Sequence, residues 1–548
     1  MSKRNSLLPQ RSDYAGIRKT WRSDLIAGVT VGIVALPLAL GFGISSGAGA
    51  EAGLITAIIA GVIAAVFGGS NVQVSGPTGA MVVVLAPIVA SHGPSAIVLV
   101  SLMGGLIVLI AGILRLGRAV SLIPWPVIEG FTVGIGVIIF LQQIPALTGP
   151  NGNESGETSA LLAAVASLAN ADVNYLLWAI GAVIIAAICM VGLPKIHPAI
   201  PGSLVAVIVV TVLALVIDNP LATIGALPST LPAPSIPPMN LELLSDLLLP
   251  AVAVAALAAI ESLLSARVAA SMADTGPYDP DRELVGQGLA SIGSGLFGGM
   301  PATGAIARTA VNVRSGGRTR LAAIFHAVVL LIIVLLFSQP VSFIPLAALS
   351  GVLMVTAIRM INISVGKSIL RSTRSDALGY IVTVIITISV DLIVAVIIGL
   401  ILAGIFAIRN YASAVRVYRE DLPGEPEEDD DRIALINIDG PLFFASADRV
   451  MDEVVNTQGV SVVILRLSQL DTVDATGAQT LSEVVRRLEA RGITVLIKGL
   501  REHHEKLFYQ VGVITALRHK KHLFSDLDSA LEHARSHIKR EDASSQSS

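Results

Sequence analysis

Two interruptions in apolar runs carry the chemistry that this chain offers. FGGSNVQVSGPTGAM (67–81) breaks a hydrophobic stretch with Gly68-Gly69, polar Asn71, Gln73 and Ser75, and Pro77, and FGGMPATGAIARTAV (297–311) repeats the pattern. Such breaks leave backbone N–H and C=O groups unpaired, which at membrane depth is tolerated only beside protein or a watery cavity. A helix that restarts after a break presents free N–H groups and the positive end of its dipole. Two such starts meeting near the midplane would form an anion site built from backbone. The plain alternative is a pair of kinked packing helices.

Ionisable side chains inside apolar runs are expensive and usually functional. Glu261, in PAVAVAALAAIESLLSARVAAS, follows about ten apolar residues. It reads either as a carboxyl that takes and gives a proton during transport, or as a structural partner of Arg308 or Arg267. Arg308, about one turn past the second break, reads either as a fixed positive charge on the anion site or as the neutraliser of Glu261. Glu129 and Asp391 lie nearer span ends, where snorkelling or capping suffices. His326 reads as a core or interface histidine, and Cys189 as a small buried hydrophobe. The sequence shows no Cys/His cluster of metal-ligand type and no nucleophile–base pair, so neither a metal nor an enzymatic reaction is expected.

The elements that must position these residues are membrane spans. The 548 residues are 53% apolar and only 14% charged, against roughly 25% charged for soluble domains. Mean hydropathy is +0.76. The net charge of −3 makes no case for nucleic acid. Taking about 20 apolar residues per span, candidate spans start near 24, 50, 95, 124, 175, 201, 249, 283, 321, 345, 377 and 392, and the interrupted segments near 76 and 303 bring the total to 14. An even number places both termini on one side. Arg4, Arg11, Arg18, Lys19 and Arg22 make that side cytoplasmic, and the opposite loops (about 91–95, 145–174, 218–248 and 338–345) hold no Lys or Arg. The basic N-terminus lacks the hydrophobic region and cleavage site of a signal peptide, so the first span is expected to direct insertion. Seven spans from about 24 to 218 precede seven from about 249 to 412, each set with its break third, so the halves are oppositely oriented. Glycine-rich runs at 41–53 and 130–136 suit close helix packing.

Charge density changes near residue 410. The domain plan is a cytoplasmic segment over 1–23, a transmembrane domain over 24–417, an acidic self-repelling linker over 418–431, and a soluble domain with a polar tail over 432–548. In that tail, β-branched IALINIDG, VSVVILRLSQ and ITVLIKGL alternate with amphipathic segments, which predicts a small α/β domain.

Together DLIAGVTVGIVALPLAL, GGSNVQVSGPTGAM, AIESLLSARVAASM, ELVGQGLASIGSGLFGGMPATGAIARTAVNVRSGGRT, DGPLFFASADRV and VDATGAQTL resemble the SulP family of anion transporters, whose tail is a STAS domain. The resemblance covers essentially the whole chain. It implies an α-helical membrane protein of seven-plus-seven inverted repeats, with core and gate domains moving as an elevator, assembled as a homodimer with the STAS domain cytoplasmic. It implies an inner-membrane location and leaves room for a cytoplasmic partner of the STAS domain. By position it places the anion between the short helices opened by Gly76, Pro77, Thr78 and Gly79 and by Thr303, Gly304 and Ala305, with Phe42 lining the site, Glu261 as the acidic position and Arg308 as the basic one. Many relatives carry Gln after the first-helix proline, where Leu38 follows Pro37 here. Sodium-coupled bicarbonate relatives carry Asp at the Glu261 position and Thr at Ile306, so the proton rather than sodium is the expected coupling ion, with no other cofactor. Sulfate is the family's default substrate, with bicarbonate and C4-dicarboxylates as rivals. A nucleobase–proton symporter of the same fold, and a membrane-tethered STAS scaffold, are the alternatives in function. Thr476, after Asp474 and Ala475, stands where STAS antagonists carry a phosphorylated hydroxyl; a helix-capping role is the plain alternative.

Overall fold

The structure, a computed structural model, describes residues 7–546 apart from 15, 119–123, 150–159, 198–199, 229, 239–240, 273–275, 277, 390–391 and 456. Asp391 lies outside the described residues. The chain divides into two compact units, Met1–Leu400 and Ile401–Ser548.

Each expected span has a helical counterpart. The first half supplies α1 (Ile17–Ser45), α2 (Ala50–Phe67), α3 (Gly79–His92), α4 (Ser95–Ile113), α5 (Trp125–Gln142), α6 (Val173–Ile196) and α7 (Gly202–Val216). The second supplies α8 (Leu241–Met272), α9 (Pro280–Leu296), α10 (Ile306–Arg314), α11 (Arg320–Ser342), α12 (Leu346–Met360), α13 (Arg374–Ser389) and α14 (Leu392–Ala412). The third helix of each half, α3 and α10, is short and follows a two-residue strand, β1 (Ser75–Gly76) and β2 (Thr303–Gly304) respectively. Side chains at Leu177, Ile184, Ile188 and Val191 line one exposed face of α6, and Ile381 and Ile385 do the same on α13. Water would not tolerate such faces, but lipid does.

Packing repeats with the sequence. α1 lies on α11 and α8 on α4; α2 lies on α11 and α9 on α4; α1 touches α10 and α8 touches α3. Exchanging each helix for its counterpart seven spans away maps each pair onto its partner. The first four helices of both halves thus form one body, while α5 packs on α12 and α13, and α6 on α7 and α12. These are the expected core and gate groupings. The strands close the symmetry: β1 and β2 pair antiparallel, Ser75 opposite Gly304 and Gly76 opposite Thr303.

Close helix approach rests on glycine, as the composition of 41–53 and 130–136 suggests. A methyl on Gly53 would lie 2.0 Å from the Ala39 carbonyl oxygen, and one on Gly134 would lie 2.5 Å from Thr387 Cβ. Helix starts are capped by acids: Asp279 accepts from the Asp281 and Arg282 amides, and Asp172 from those of Asn174 and Tyr175. Cys189 is half-buried and free, packed against the core that α1, α6, α7 and α12 build. Glu129 takes the role expected of a span-end acid, accepting from Trp125 Nε1 at 3.0 Å on an exposed turn.

The second unit carries a sheet in the order β3-β4-β5-β7-β8, from β3 (Arg416–Glu420), β4 (Ile433–Leu442), β5 (Val462–Arg466), β7 (Thr494–Lys498) and β8 (Leu523–Phe524), with β6 (Leu470–Val473) also paired to β4. All pairs are parallel except β3 with β4. Helices α15 (Ala447–Val455), α16 (Ala475–Ala490), α17 (Glu502–Val511) and α18 (Leu527–Gln546) complete it. Three expectations need correction here. Residues 416–420, read as a span end and linker, form the edge strand β3. The acidic stretch stays mostly exposed but is not held apart by repulsion alone, because arginines meet it: Glu420 pairs with Arg466 at 2.7 Å, and Asp430 and Glu427 both pair with Arg535. Thr476 is exposed in the first turn of α16 and is not its cap; Asp474 is, accepting from the Gly477 amide at 2.8 Å.

Candidate functional site

Where α3 and α10 begin, the two halves meet on one carboxylate. Thr78, just before α3, and Thr303, in β2, both direct hydroxyls at Glu261 Oε2, at 2.8 and 2.7 Å. The hydroxyls lie 3.1 Å from one another. Threonine at a helix start normally caps it, but Thr78 makes no cap bond and instead turns its hydroxyl toward Glu261. Ala305, at the equivalent place before α10, has no side chain to cap with. The opening amides of both helices are therefore free of side-chain caps.

Arg308 is 2% exposed, and its Nη2 donates to the Pro77 carbonyl across the break. Its Nη1 is buried without a hydrogen-bond partner among the described residues. The arginine needs Gly76: a methyl there would lie 2.6 Å from Nη1. No salt bridge joins Glu261 to Arg308 among the described residues, and Arg267 is exposed. Arg308 thus acts on Glu261 through its charge and not through a direct ion pair, so the structural-pair reading keeps an electrostatic basis. Gly79 faces Phe42, with 3.3 Å between the Phe42 ring edge and the place of a Gly79 methyl. One turn of α1 further on, Ser45 joins Gly41, Gln143, Tyr175, Ser350 and Leu353 around a cavity of about 440 Å³. The fold thus gathers Phe42, Gly76, Pro77, Thr78, Gly79, Glu261, Thr303, Gly304, Ala305 and Arg308 about β1 and β2, while Thr476 belongs to the other unit.

Sequence reading passed over the frame that holds this constellation. Ser262, next to Glu261, accepts from the Gly304 amide at 2.9 Å. The Thr309 hydroxyl accepts from the Val74 amide at 3.0 Å and lies 3.2 Å from Ser265 Oγ. Asn312 donates to the Val72 carbonyl at 2.7 Å. Glu283, 1% exposed, accepts from the Gly69 and Ser70 amides at 2.7 and 3.0 Å, and Gln287 links it to Ser75. Arg320 donates to the carbonyls of Ala65 and Gly68. Side chains from α9–α11 thereby satisfy the backbone groups that the first break exposes, and Ser262 of α8 serves the second. Gln73 is buried with both amide ends unpartnered among the described residues. His326 is wholly buried in α11, a core histidine as its setting in the sequence suggested.

Comparison with known proteins agrees with this architecture. The sulfate permease family model matches residues 21–383 and the STAS domain model residues 427–530. The chain belongs to the sulfate permease family. It is 34% identical to the putative sulfate transporter YvdB of Bacillus subtilis (strain 168), over 93% of this chain and 97% of that protein. It is 31% identical to the bicarbonate transporter BicA of Synechocystis sp., over 87% of this chain and 88% of that one. In fold it is similar to the murine Slc26a9 anion transporter in the inward-facing state, with TM-score 0.82 at 16% identity, covering 98% of this chain and 96% of the other. This member of the family is a multi-pass membrane anion transporter with a STAS domain, and not an enzyme.

Proposed function

We propose that this sulfate permease family member imports sulfate across the inner membrane in symport with protons, with both termini and the STAS domain cytoplasmic. The observation that carries the reading is the convergence of Thr78 and Thr303 on Glu261 between two uncapped helix starts. As drawn, the carboxylate takes the hydrogens of both hydroxyls, so neither remains for an anion. A proton on Glu261 turns it from acceptor to donor, removes one negative charge beside the anion site, and frees hydroxyl hydrogens to face the substrate. Proton and anion then favour one another at a single site. The buried, unpartnered Nη1 of Arg308 and the free amides of α3 and α10 supply the remaining donors. Ile306, at the start of α10, offers no hydroxyl for a sodium ion.

Transport follows an elevator-like movement, in a homodimer, of the body holding α1–α4 and α8–α11 against the rest; the tighter packing within each helix group supports the movement. A second reading, bicarbonate in place of sulfate, is favoured by the BicA relatives. Purified protein in liposomes, given radiolabelled sulfate, bicarbonate or a C4-dicarboxylate under an imposed pH gradient with and without sodium, separates these. Sulfate uptake that rises when the outside is made acidic, without need of sodium, is expected. Uptake of bicarbonate alone would transfer the assignment to the second reading, and no flux of any anion would contradict both.

A further inference from the structure

Four histidines that are scattered over the tail of the sequence gather at one end of the second unit, where the sequence showed no cluster of metal-ligand type. His533 and His537 stand one turn apart on α18, so their side chains share a face. His522 comes from the short turn Lys520–His522 that leads into β8. One ligand nitrogen from each of these three rings lies within 4.8 Å of the others. Ring centroids are 4.9 Å apart for His533 and His537, 5.5 Å for His522 and His533, and 5.4 Å for His522 and His537. His519 stands on the other side of His522, at 5.5 Å, and is exposed.

Packing alone leaves this cluster unexplained. His522 is 1% exposed and hydrogen-bonds the Val495 backbone, but its Nδ1 is buried without a hydrogen-bond partner among the described residues, as is Nε2 of His533. Buried polar atoms are nearly always satisfied, and an orphan calls for a ligand, ion or water. A neutral imidazole nitrogen with a free lone pair is the commonest protein ligand for transition metals. We infer that His522, His533 and His537 form a binding site for one divalent late transition-metal ion, with zinc as its test case. Tetrahedral zinc with bonds of 2.0–2.1 Å holds nitrogens about 3.3 Å apart, so the rings need only draw inward from their present spacing. The fourth position falls to water, an arrangement of three imidazoles with one open place.

The surroundings narrow the metal. Lys521 and Arg540 lie near His533, and Arg518 and Arg540 near His537. Their positive charge and the absence of an oxygen ligand in the triad disfavour magnesium and calcium, which bind through charge and oxygen donors. Imidazole ligands suit zinc, copper and nickel, whose bonds to nitrogen are stronger. Bound metal would tie α18 to the turn before β8. The two are otherwise joined through the small core of Ala530, Leu531, Ala534 and Ile538 on the sheet.

The test uses the full-length protein in detergent, stripped with a chelator and dialysed against zinc chloride. One zinc per chain should survive gel filtration, and the melting temperature should rise with zinc but not with magnesium. The double variant His533→Gln/His537→Gln should lose both effects while eluting as the wild type does. Absence of zinc binding by the wild type, or full binding by the double variant, would overturn the assignment. Cobalt(II) added to the wild type gives an answer that needs no variant: visible absorption of a four-coordinate nitrogen site supports the proposal, and the spectrum of the hexaaqua ion contradicts it.

Discussion

In the proposed mechanism Glu261 acts as an exchangeable acceptor, because its hydrogen-bond partners are the hydroxyls of Thr78 and Thr303, with Arg308 reaching it only as a nearby charge. A hydroxyl can reverse its hydrogen bond when its partner gains a proton; a guanidinium cannot. Removing one hydroxyl should therefore damage coupling in a way that its conservative replacement repairs. Thr303→Val is expected to lower sulfate uptake about tenfold or more, since a hydrogen bond to a charged group contributes about 1.5–3 kcal/mol, and Thr303→Ser should restore most of it. Initial rates in proteoliposomes at saturating and limiting sulfate check both. Uptake by Thr303→Val equal to the wild type would remove Thr303 from the account. Arg308→Gln keeps a donor toward Pro77 but loses the charge, so it should raise the sulfate concentration for half-maximal uptake, and an unchanged value would make Arg308 purely structural.

The short helices begin where they do because partners far away in sequence complete the breaks. Glu283 holds the Gly69 and Ser70 amides, and Asn312 holds the Val72 carbonyl. The spans were legible in the sequence because a bilayer demands long apolar runs, and the site's location because Phe-Gly-Gly recurs before both breaks. The frame was not legible. Nothing local in ELVGQGL states that Glu283 will meet a loop some two hundred residues earlier, and its carboxylate looks like an ordinary acid at a helix start. The strand β3 was hidden for a related reason: VYRE lies beside acidic residues whose arginine partners, Arg466 and Arg535, come much later. Helix contact is sharper to predict. Gly53→Ala drives a methyl toward the Ala39 carbonyl, at 2.0 Å, and toward Gly43 Cα, at 3.1 Å, both backbone atoms that cannot turn aside. Overpacking of this kind costs about 1–3 kcal/mol or more, so the purified variant should melt at a lower temperature. Melting at the wild-type temperature would mean that α1 and α2 separate freely.

At the scale of the whole molecule, one sequence builds two units held together by different physics. The membrane unit relies on small residues, apolar faces and satisfied breaks, and the STAS domain on a conventional core edged by ion pairs. Arg535 keeps the Asp430 carboxyl below its ordinary value of 3.8, chiefly by hydrogen bonding. A depressed folded-state value means that stability is gained above the unfolded value and lost as pH falls through the folded one. Arg535→Gln should therefore speed proteolysis of the tail of the full-length protein at neutral pH, and the difference from wild type should shrink as the medium is acidified toward and below that range. A difference that persists unchanged in acid would assign the effect to packing instead.

The central claim is that Glu261 joins proton movement to anion movement, and Glu261→Gln tests it most directly. Glutamine keeps the size and can still accept from Thr78 and Thr303, but it cannot exchange a proton. In proteoliposomes with a pH gradient, acidic outside, the wild type should accumulate labelled sulfate faster than without the gradient. The variant should show one rate regardless of the gradient. A variant that still responds to the gradient as the wild type does would contradict the account.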